Sequence, residues 1–227
     1  MKANGKRILF SGILLITVFA IWTLAVLTVD VKPSGVNGTS IGFAALNGWF
    51  HEFTGVHMNL YIITDWLGLV PVAACILFGI VGLTQWIKRK SLWKVDYDII
   101  ILGIYYIVVI SEYLLFEMIP INYRPVLING FMEVSYPSST TLLVLSVMPT
   151  CMFQVNRRMK NTSIRKMLNI LIGAFSIFMV VGRLVSGVHW LTDIIGAILL
   201  SVGSFYSYKG IVLMNDNKNR RLRNGIS

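Results

Sequence analysis

Charge is scarce in this chain, and negative charge scarcer still. Of its 227 residues only 13% are Asp, Glu, Lys or Arg, and ten of those are acidic. A water-soluble domain carries roughly twice that share, so a soluble globular fold is excluded. Cysteine is nearly absent. Cys75 and Cys151 are too few for a disulfide framework, and both stand in apolar runs, where a thiol reads as a small side chain facing core or lipid. Histidine is limited to three. His51, Glu52 and His57 have the composition of a metal set without the H-E-x-x-H spacing, so an aromatic-rich interfacial loop is the better reading. No internal repeat or low-complexity linker divides the chain.

What is abundant is apolar sequence, at 56% of residues. Crossing about 30 Å of hydrocarbon takes roughly 20 apolar residues. Six runs approach that length: about 8–29, 66–87, 97–118, 138–155, 167–187 and 190–208. The fourth is short and begins with polar residues, and the last two nearly touch. The first follows Lys2, Lys6 and Arg7 as a signal peptide would. It is too long for one and lacks a small-x-small cleavage site before Asp30, so a retained anchor is expected.

The net charge of +10 would suggest nucleic acid in a soluble chain; here it reads as loop charge that sets topology. With the N-terminus in the cytoplasm, seventeen of the twenty basic residues fall on the inner side, and only Lys32, Arg124 and Arg183 on the outer. The positive-inside rule therefore predicts both termini in the cytoplasm of a multi-pass cell-membrane protein. The expected organisation is an anchor and outer interfacial loop over 1–65, a helical membrane core over 66–208, and a basic cytoplasmic tail over 209–227, frayed from Asn215 on. Trp49, Trp66 and Trp190 read as aromatic-belt residues.

Three outer segments carry unusual polar groups: Asn122-Tyr123-Arg124-Pro125, Tyr136-Pro137-Ser138-Ser139-Thr140-Thr141, and Arg183, His189 and Asp193 at i, i+6 and i+10. Ionisable residues beside membrane spans are functional candidates by default. His189 and Asp193 are four apart, which predicts a shared helix face and a hydrogen bond that fixes the imidazole tautomer. Guanidinium groups suit the oxygens of a phosphate, and hydroxyls with free N–H groups at a helix start favour an anion. A histidine at the edge of such a cradle is placed to attack phosphorus.

These residues resemble the three motifs of the type-2 phosphatidic acid phosphatase superfamily, membrane lipid phosphatases related to vanadium haloperoxidases: K-x6-R-P, P-S-G-H and S-R-x5-H-x3-D. The resemblance covers about residues 66–208. Arg183, His189 and Asp193 match the third motif, with Gly182 in place of its serine; Arg124-Pro125 match the first and Pro137-Ser138 the second. It implies an all-α, polytopic six-transmembrane-helix bundle of the lipid phosphatase/haloperoxidase type. It also implies that His189 forms a phosphohistidine, that Asp193 orients it, and that Arg124, Arg183 and Ser138 hold the phosphoryl oxygens, with Ser139 and Thr140 beside them. No metal or other cofactor is expected, and the partners are the lipid phosphate substrate and membrane lipids, not nucleic acid.

Two positions depart from the pattern. Glu117 stands where the family has a phosphate-binding lysine, and Ser139-Thr140 replace Gly-His, whose histidine protonates the leaving oxygen. General acid catalysis is worth about 10²–10⁴ in rate. Three accounts are open. The substrate has a good leaving group, as in undecaprenyl diphosphate rather than phosphatidic acid. Another outer group supplies the proton: Glu117, if desolvated, or Glu133, His51 or His57. Or the phosphoryl group passes to an acceptor other than water, making a phosphotransferase. A non-enzymatic lipid-phosphate binding or transport protein on a degenerate scaffold is the competing class.

Overall fold

The computed structural model describes residues 4–223, with side chains as far as 218. Lys2, the side chains of Arg220, Arg221 and Arg223, and the end of the tail lie outside the described residues. The elements are α1 (Gly5–Thr28), α2 (Ala44–Thr54), α3 (Met58–Leu67), α4 (Leu69–Arg89), α5 (Tyr97–Met118), α6 (Ser139–Arg158), α7 (Thr162–Val185) and α8 (Leu191–Arg223), with short 3-10 turns at Val36–Gly38 and Leu92–Lys94. Among the described residues there is no sheet, only isolated antiparallel bridges.

Among the described residues, five stretches are long and apolar enough to cross a membrane: α1, the pair α3–α4 running on through Gly68, α5, α7 and α8. Their outward faces are apolar, as at Phe10, Leu24, Ile76, Ile87, Ile107 and Ile170, the surface a hydrocarbon solvent requires. The sixth expected crossing, α6, has the length, at 20 residues, but not the apolarity. The reason is its position. It packs against α4, α5, α7 and α8, and its Thr141, Ser146, Thr150 and Gln154 are buried among them. Tyr106 pairs with Thr150, and Gln154 donates to the Tyr208 hydroxyl. A central helix shielded from lipid can be polar because its neighbours satisfy it.

The first helix is part of the bundle. Its buried residues, Gly5, Gly12, Phe19 and Val26, recur every seven positions, and α8 answers with Gly203 and Gly210. A Cβ built on Gly12 would lie 2.6 Å from Ser207 N, and one on Gly203 3.1 Å from Gly12 O. Small residues let the two backbones close in, which is what drives helix association where lipid removes the hydrophobic incentive.

At the end of the bundle away from the candidate site, Asp98 is held by Arg157 (3.2 Å) and Arg158 (2.9 Å), Asp96 by Arg89 (2.7 Å) and Arg158 (3.0 Å), and Asp216 by Arg157 (2.7 Å). This network ties α4, α5, α6 and α8 together. It also corrects the expected frayed tail: α8 continues as helix to Arg223, and Asp216 anchors it.

At the other end, the expected interfacial loop is built into the protein. Asn47 on α2 is buried and clasps the start of α8, donating to Thr192 Oγ1 (3.0 Å) and accepting from Thr192 N (3.2 Å). Trp190 packs on Ile41 and Ala44 and donates to Tyr123 O (2.7 Å). It is 4% exposed, so it is not an aromatic-belt residue. Trp49 and Trp66, at 61% and 71% exposure, remain compatible with that reading.

Candidate active site

The site forms where three connections meet. The first is a small hairpin over 122–135. Asn129 and Gly130 both have positive φ, 52° and 83°, as a two-residue hairpin turn requires. Paired backbone then runs back through Ile128–Phe131 and Tyr123–Val134, with Ser135 N donating to Asn122 O (2.9 Å). This hairpin carries Arg124 inward, with Glu133 half-exposed beside it. The second is the N-terminus of α6 at Ser138. The third is the tight loop from Ser186 to Trp190, turned at Gly187 (φ +69°) against Gly55 and held by His57 N donating to Ser186 O (2.9 Å).

His189 lies in that loop, before α8 begins, so it and Asp193 do not share a helix face as the spacing predicted. Asp193 sits in the first turn and reaches back to accept from Trp190 N (2.9 Å), one half of a capping box. It also accepts from Ser135 Oγ and from Asn122 Nδ2 (3.3 Å). His189 Nδ1 is 3.7 Å from Asp193 Oδ2, and its hydrogen bond is to Ser135 O (3.2 Å). A carbonyl can only accept, so Nδ1 carries the proton and Nε2 the lone pair. Nε2 is buried with no partner. Burial first, then the charges of Arg124 and Arg183, hold the imidazole well below its usual range, against the backbone acceptor Ser135. Both effects favour the neutral form of the ring, in which Nε2 keeps its lone pair.

The two arginines flank one tyrosine. The guanidinium carbons of Arg183 and Arg124 lie 4.8 and 5.5 Å from the ring centre of Tyr61. Arg183 is 1% exposed and donates to Tyr61 O (3.4 Å), Thr64 Oγ1 (3.5 Å) and Asp65 Oδ1 (3.4 Å), all long contacts. Glu133 Oε2 lies 3.0 Å from Arg124 Nε, an ion pair whose angle is poor for a hydrogen bond. Arg124 Nη1 and Arg183 Nε are buried without acceptors. Buried guanidinium donors without partners are costly unless an anion completes them.

Ser138 is fully buried, and its hydroxyl donates to Thr141 Oγ1 (3.1 Å). Ser139 and Thr140 line a cavity together with Asp65. A Cβ built on Gly68 would sit 3.5 Å from the Thr140 methyl, so threonine here packs against the α3–α4 junction. Gly182 also has a steric reason: a Cβ there would meet Thr64 Cγ2 at 2.7 Å. Glu117, on the last turn of α5, is exposed and lines a small cleft with Ser135, Pro137 and Ser139; the desolvation its acid role supposed is absent. His51 packs on Trp190, with burial lowering its pKa, and His57 Nε2 donates to Thr54 O (2.9 Å).

Tyr61, Thr64, Asp65 and Ser135 are not among the sequence candidates, and Asn122 is there only as part of its segment, without a role. The first three lie in a segment read as loop, although Tyr61, Thr64, Asp65 and Gly68 follow helical i, i+3, i+4, i+7 spacing. Asn129-Gly130 was a legible hairpin signal.

No curated protein matches the chain. Among solved structures it is similar to a transmembrane PAP2-type phosphatidylglycerolphosphate phosphatase from Bacillus subtilis, with 19% identity and TM-score 0.57 over 91% of this chain and 96% of that one. At that identity the likeness is one of fold, that of a multi-pass membrane protein. The family model of the PAP2 superfamily matches residues 72–216, which include Arg124, Ser138, Arg183, His189 and Asp193; the chain belongs to the PAP2 superfamily.

Proposed function

We propose that this membrane protein hydrolyses a lipid phosphate, with a polyprenyl diphosphate such as undecaprenyl diphosphate favoured over phosphatidic acid, at the extracytoplasmic face. The observation that carries the reading is the partnerless Nε2 of His189 in the company of partnerless guanidinium nitrogens on Arg124 and Arg183. In the first step the Nε2 lone pair attacks phosphorus. The bond to the leaving oxygen breaks, and that oxygen leaves with the electron pair. The Nδ1 proton stays between Ser135 O and Asp193, whose carboxylate steadies the positive charge the ring acquires. In the second step water attacks the phosphohistidine, releasing phosphate and restoring neutral His189. The two arginines hold the equatorial oxygens throughout, so the phosphate is held without recourse to a metal.

The diphosphate preference follows from Thr140. A threonine hydroxyl does not protonate a leaving alkoxide near neutral pH. A departing phosphate needs far less protonation.

The test is a panel of lipid phosphates and diphosphates assayed for phosphate release by the wild type and by His189→Ala. The variant is expected to fall to background on every substrate, and the wild type to favour diphosphates. An unchanged rate in His189→Ala would overturn the histidine mechanism. Faster turnover of phosphatidic acid than of a prenyl diphosphate would overturn the leaving-group argument.

A further inference from the structure

The proposed hydrolysis leaves one proton without a destination. A diphosphate eases the first step, because its departing phosphate needs little protonation. The second step gains nothing from that. Water is a poor nucleophile until a base takes one of its protons, and a threonine hydroxyl at 140 is no base. A group that serves must stand beside the cradle, keep an oxygen free and adjoin a space where water fits. Asp193 spends Oδ2 on Trp190 N and Ser135 Oγ, and Oδ1 on Asn122. Glu133 pairs with Arg124 and does not line the cavity at Thr140. Glu117 lines a separate cleft of about 10 Å³, at the lower limit of what one water needs.

Asp65 meets all three conditions. Arg183 Nη2 donates to its Oδ1 (3.4 Å), and Oδ2 has no partner among the described residues. Its side chain is 55% exposed, so a proton taken there passes on to solvent. With Ser139 and Thr140 it forms the polar end of a cavity of about 510 Å³, ample for water. The helix puts it there. α3 runs on into α4 through Gly68, and a Cβ on Gly68 would lie 3.5 Å from the Thr140 methyl. Asp65, three residues earlier, shares that face of the helix. Its carboxylate therefore stands one turn from the position where the family motif has a histidine. A carboxylate in an ion pair accepts a proton and has none to give, which suits the second step and not the first.

We infer that Asp65 is the general base of the dephosphorylation step, an inference that rests on the phosphatase reading and adds a catalytic residue to that same site. Water held among Asp65, Ser139 and Thr140 attacks the phosphorus on His189. Its oxygen forms the new P–O bond, the N–P bond breaks, and that electron pair returns to Nε2. One water proton goes to the Asp65 carboxylate and from there to solvent; the other leaves with the phosphate. Arg183, touching both the carboxylate and the phosphoryl oxygens, offsets the repulsion between them. Asp65 takes no part in the first step, so the site works on a good leaving group with a base and without an acid.

The experiment follows both products of undecaprenyl diphosphate in a rapid quench of the purified full chain in detergent. In Asp65→Asn, undecaprenyl phosphate is expected at the wild-type rate in a burst of about one per enzyme, while steady release of inorganic phosphate falls about 100-fold or more, the scale of a lost general base. An acid-free quench then finds His189 phosphorylated. Asp65→Glu, which keeps a carboxylate, is expected to release phosphate about tenfold or more faster than Asp65→Asn. A burst slowed as much as phosphate release would make Asp65 a positioning residue for Arg183 and overturn the base, as would unchanged phosphate release or equal losses in the two variants. If the wild type turns over no lipid phosphate or diphosphate, the phosphatase reading fails by itself. The base is then read after loading His189 with the small phosphoryl donor phosphoramidate: the phosphohistidine is expected to decay about tenfold or more faster in wild type than in Asp65→Asn, and equal lifetimes overturn the base.

Discussion

Threonine at position 140 puts a methyl group where the family motif has an imidazole. That methyl packs toward Gly68, at the mouth of a cavity with room for a ring. Thr140→His is therefore expected to raise turnover of a phosphomonoester by about tenfold or more, within the range general acids supply, and of a diphosphate by much less. Equal gains on both substrates would argue against leaving-group chemistry as the reason for the departure. His189 makes a second expectation. In the proposed mechanism the neutral ring is the nucleophile, and protonation would remove the Nε2 lone pair. Burial and the two arginines hold its pKa well below the usual range, so the acid limb of kcat/KM falls below the ordinary histidine value of ~6.5, with activity sustained at about pH 6. A limb centred at or above 6.5 would show that the ring is not held neutral in this way. At this scale Arg124, Arg183, His189 and Asp193 were legible because charge in an apolar chain needs a reason. The partner of His189 Nδ1 was not: it is a backbone carbonyl, at Ser135, and a carbonyl has no signature in sequence.

The helices were legible to the extent that lipid writes them. α1, α5 and α7 face hydrocarbon over most of their surface and read as apolar runs. α6 read as short because its neighbours, rather than lipid, surround it. α3 reads as loop in the sequence because aromatic residues precede it and one of its faces carries Tyr61, Thr64 and Asp65, which serve Arg183. The pairing of α1 with α8 was available as a seven-residue recurrence of glycine on both helices, yet it acquires meaning only when the two are placed antiparallel. Gly12 is among the tightest points, since an added Cβ would lie 2.6 Å from Ser207 N, a backbone atom that cannot swing aside. Gly12→Leu is expected to cost about 1–3 kcal/mol or more by forcing the helices apart, seen as a lower thermal midpoint in detergent. Gly173→Leu, at an open position, is expected to leave the midpoint unchanged. A midpoint for Gly12→Leu equal to wild type would mean that α1 rides loosely on the bundle.

Taken whole, the molecule has two chemically different ends. One gathers the hairpin over 122–135, the α2 loop and the 186–190 loop around the site. Its basic side chains are Lys32, paired with Asp30 at 2.9 Å, and the two cradle arginines. The other end carries Lys88, Arg89, Lys90, Lys94, Arg157, Arg158, Lys160, Arg165 and Lys166 on the α4–α5 and α6–α7 connections. Short loops rich in lysine and arginine stay in the cytoplasm, so the proposed orientation has the site end facing out, where the proposed lipid phosphate would present its headgroup. Cysteine labelling tests this directly. In a background with Cys75 and Cys151 replaced by alanine, Met132→Cys places an accessible thiol on the hairpin and Lys160→Cys one between α6 and α7; both parent side chains are exposed. A membrane-impermeant maleimide is expected to label Met132→Cys in intact cells and Lys160→Cys only after permeabilisation. The reverse pattern would invert the molecule, placing the arginine cradle in the cytoplasm and the proposed substrate in the inner leaflet.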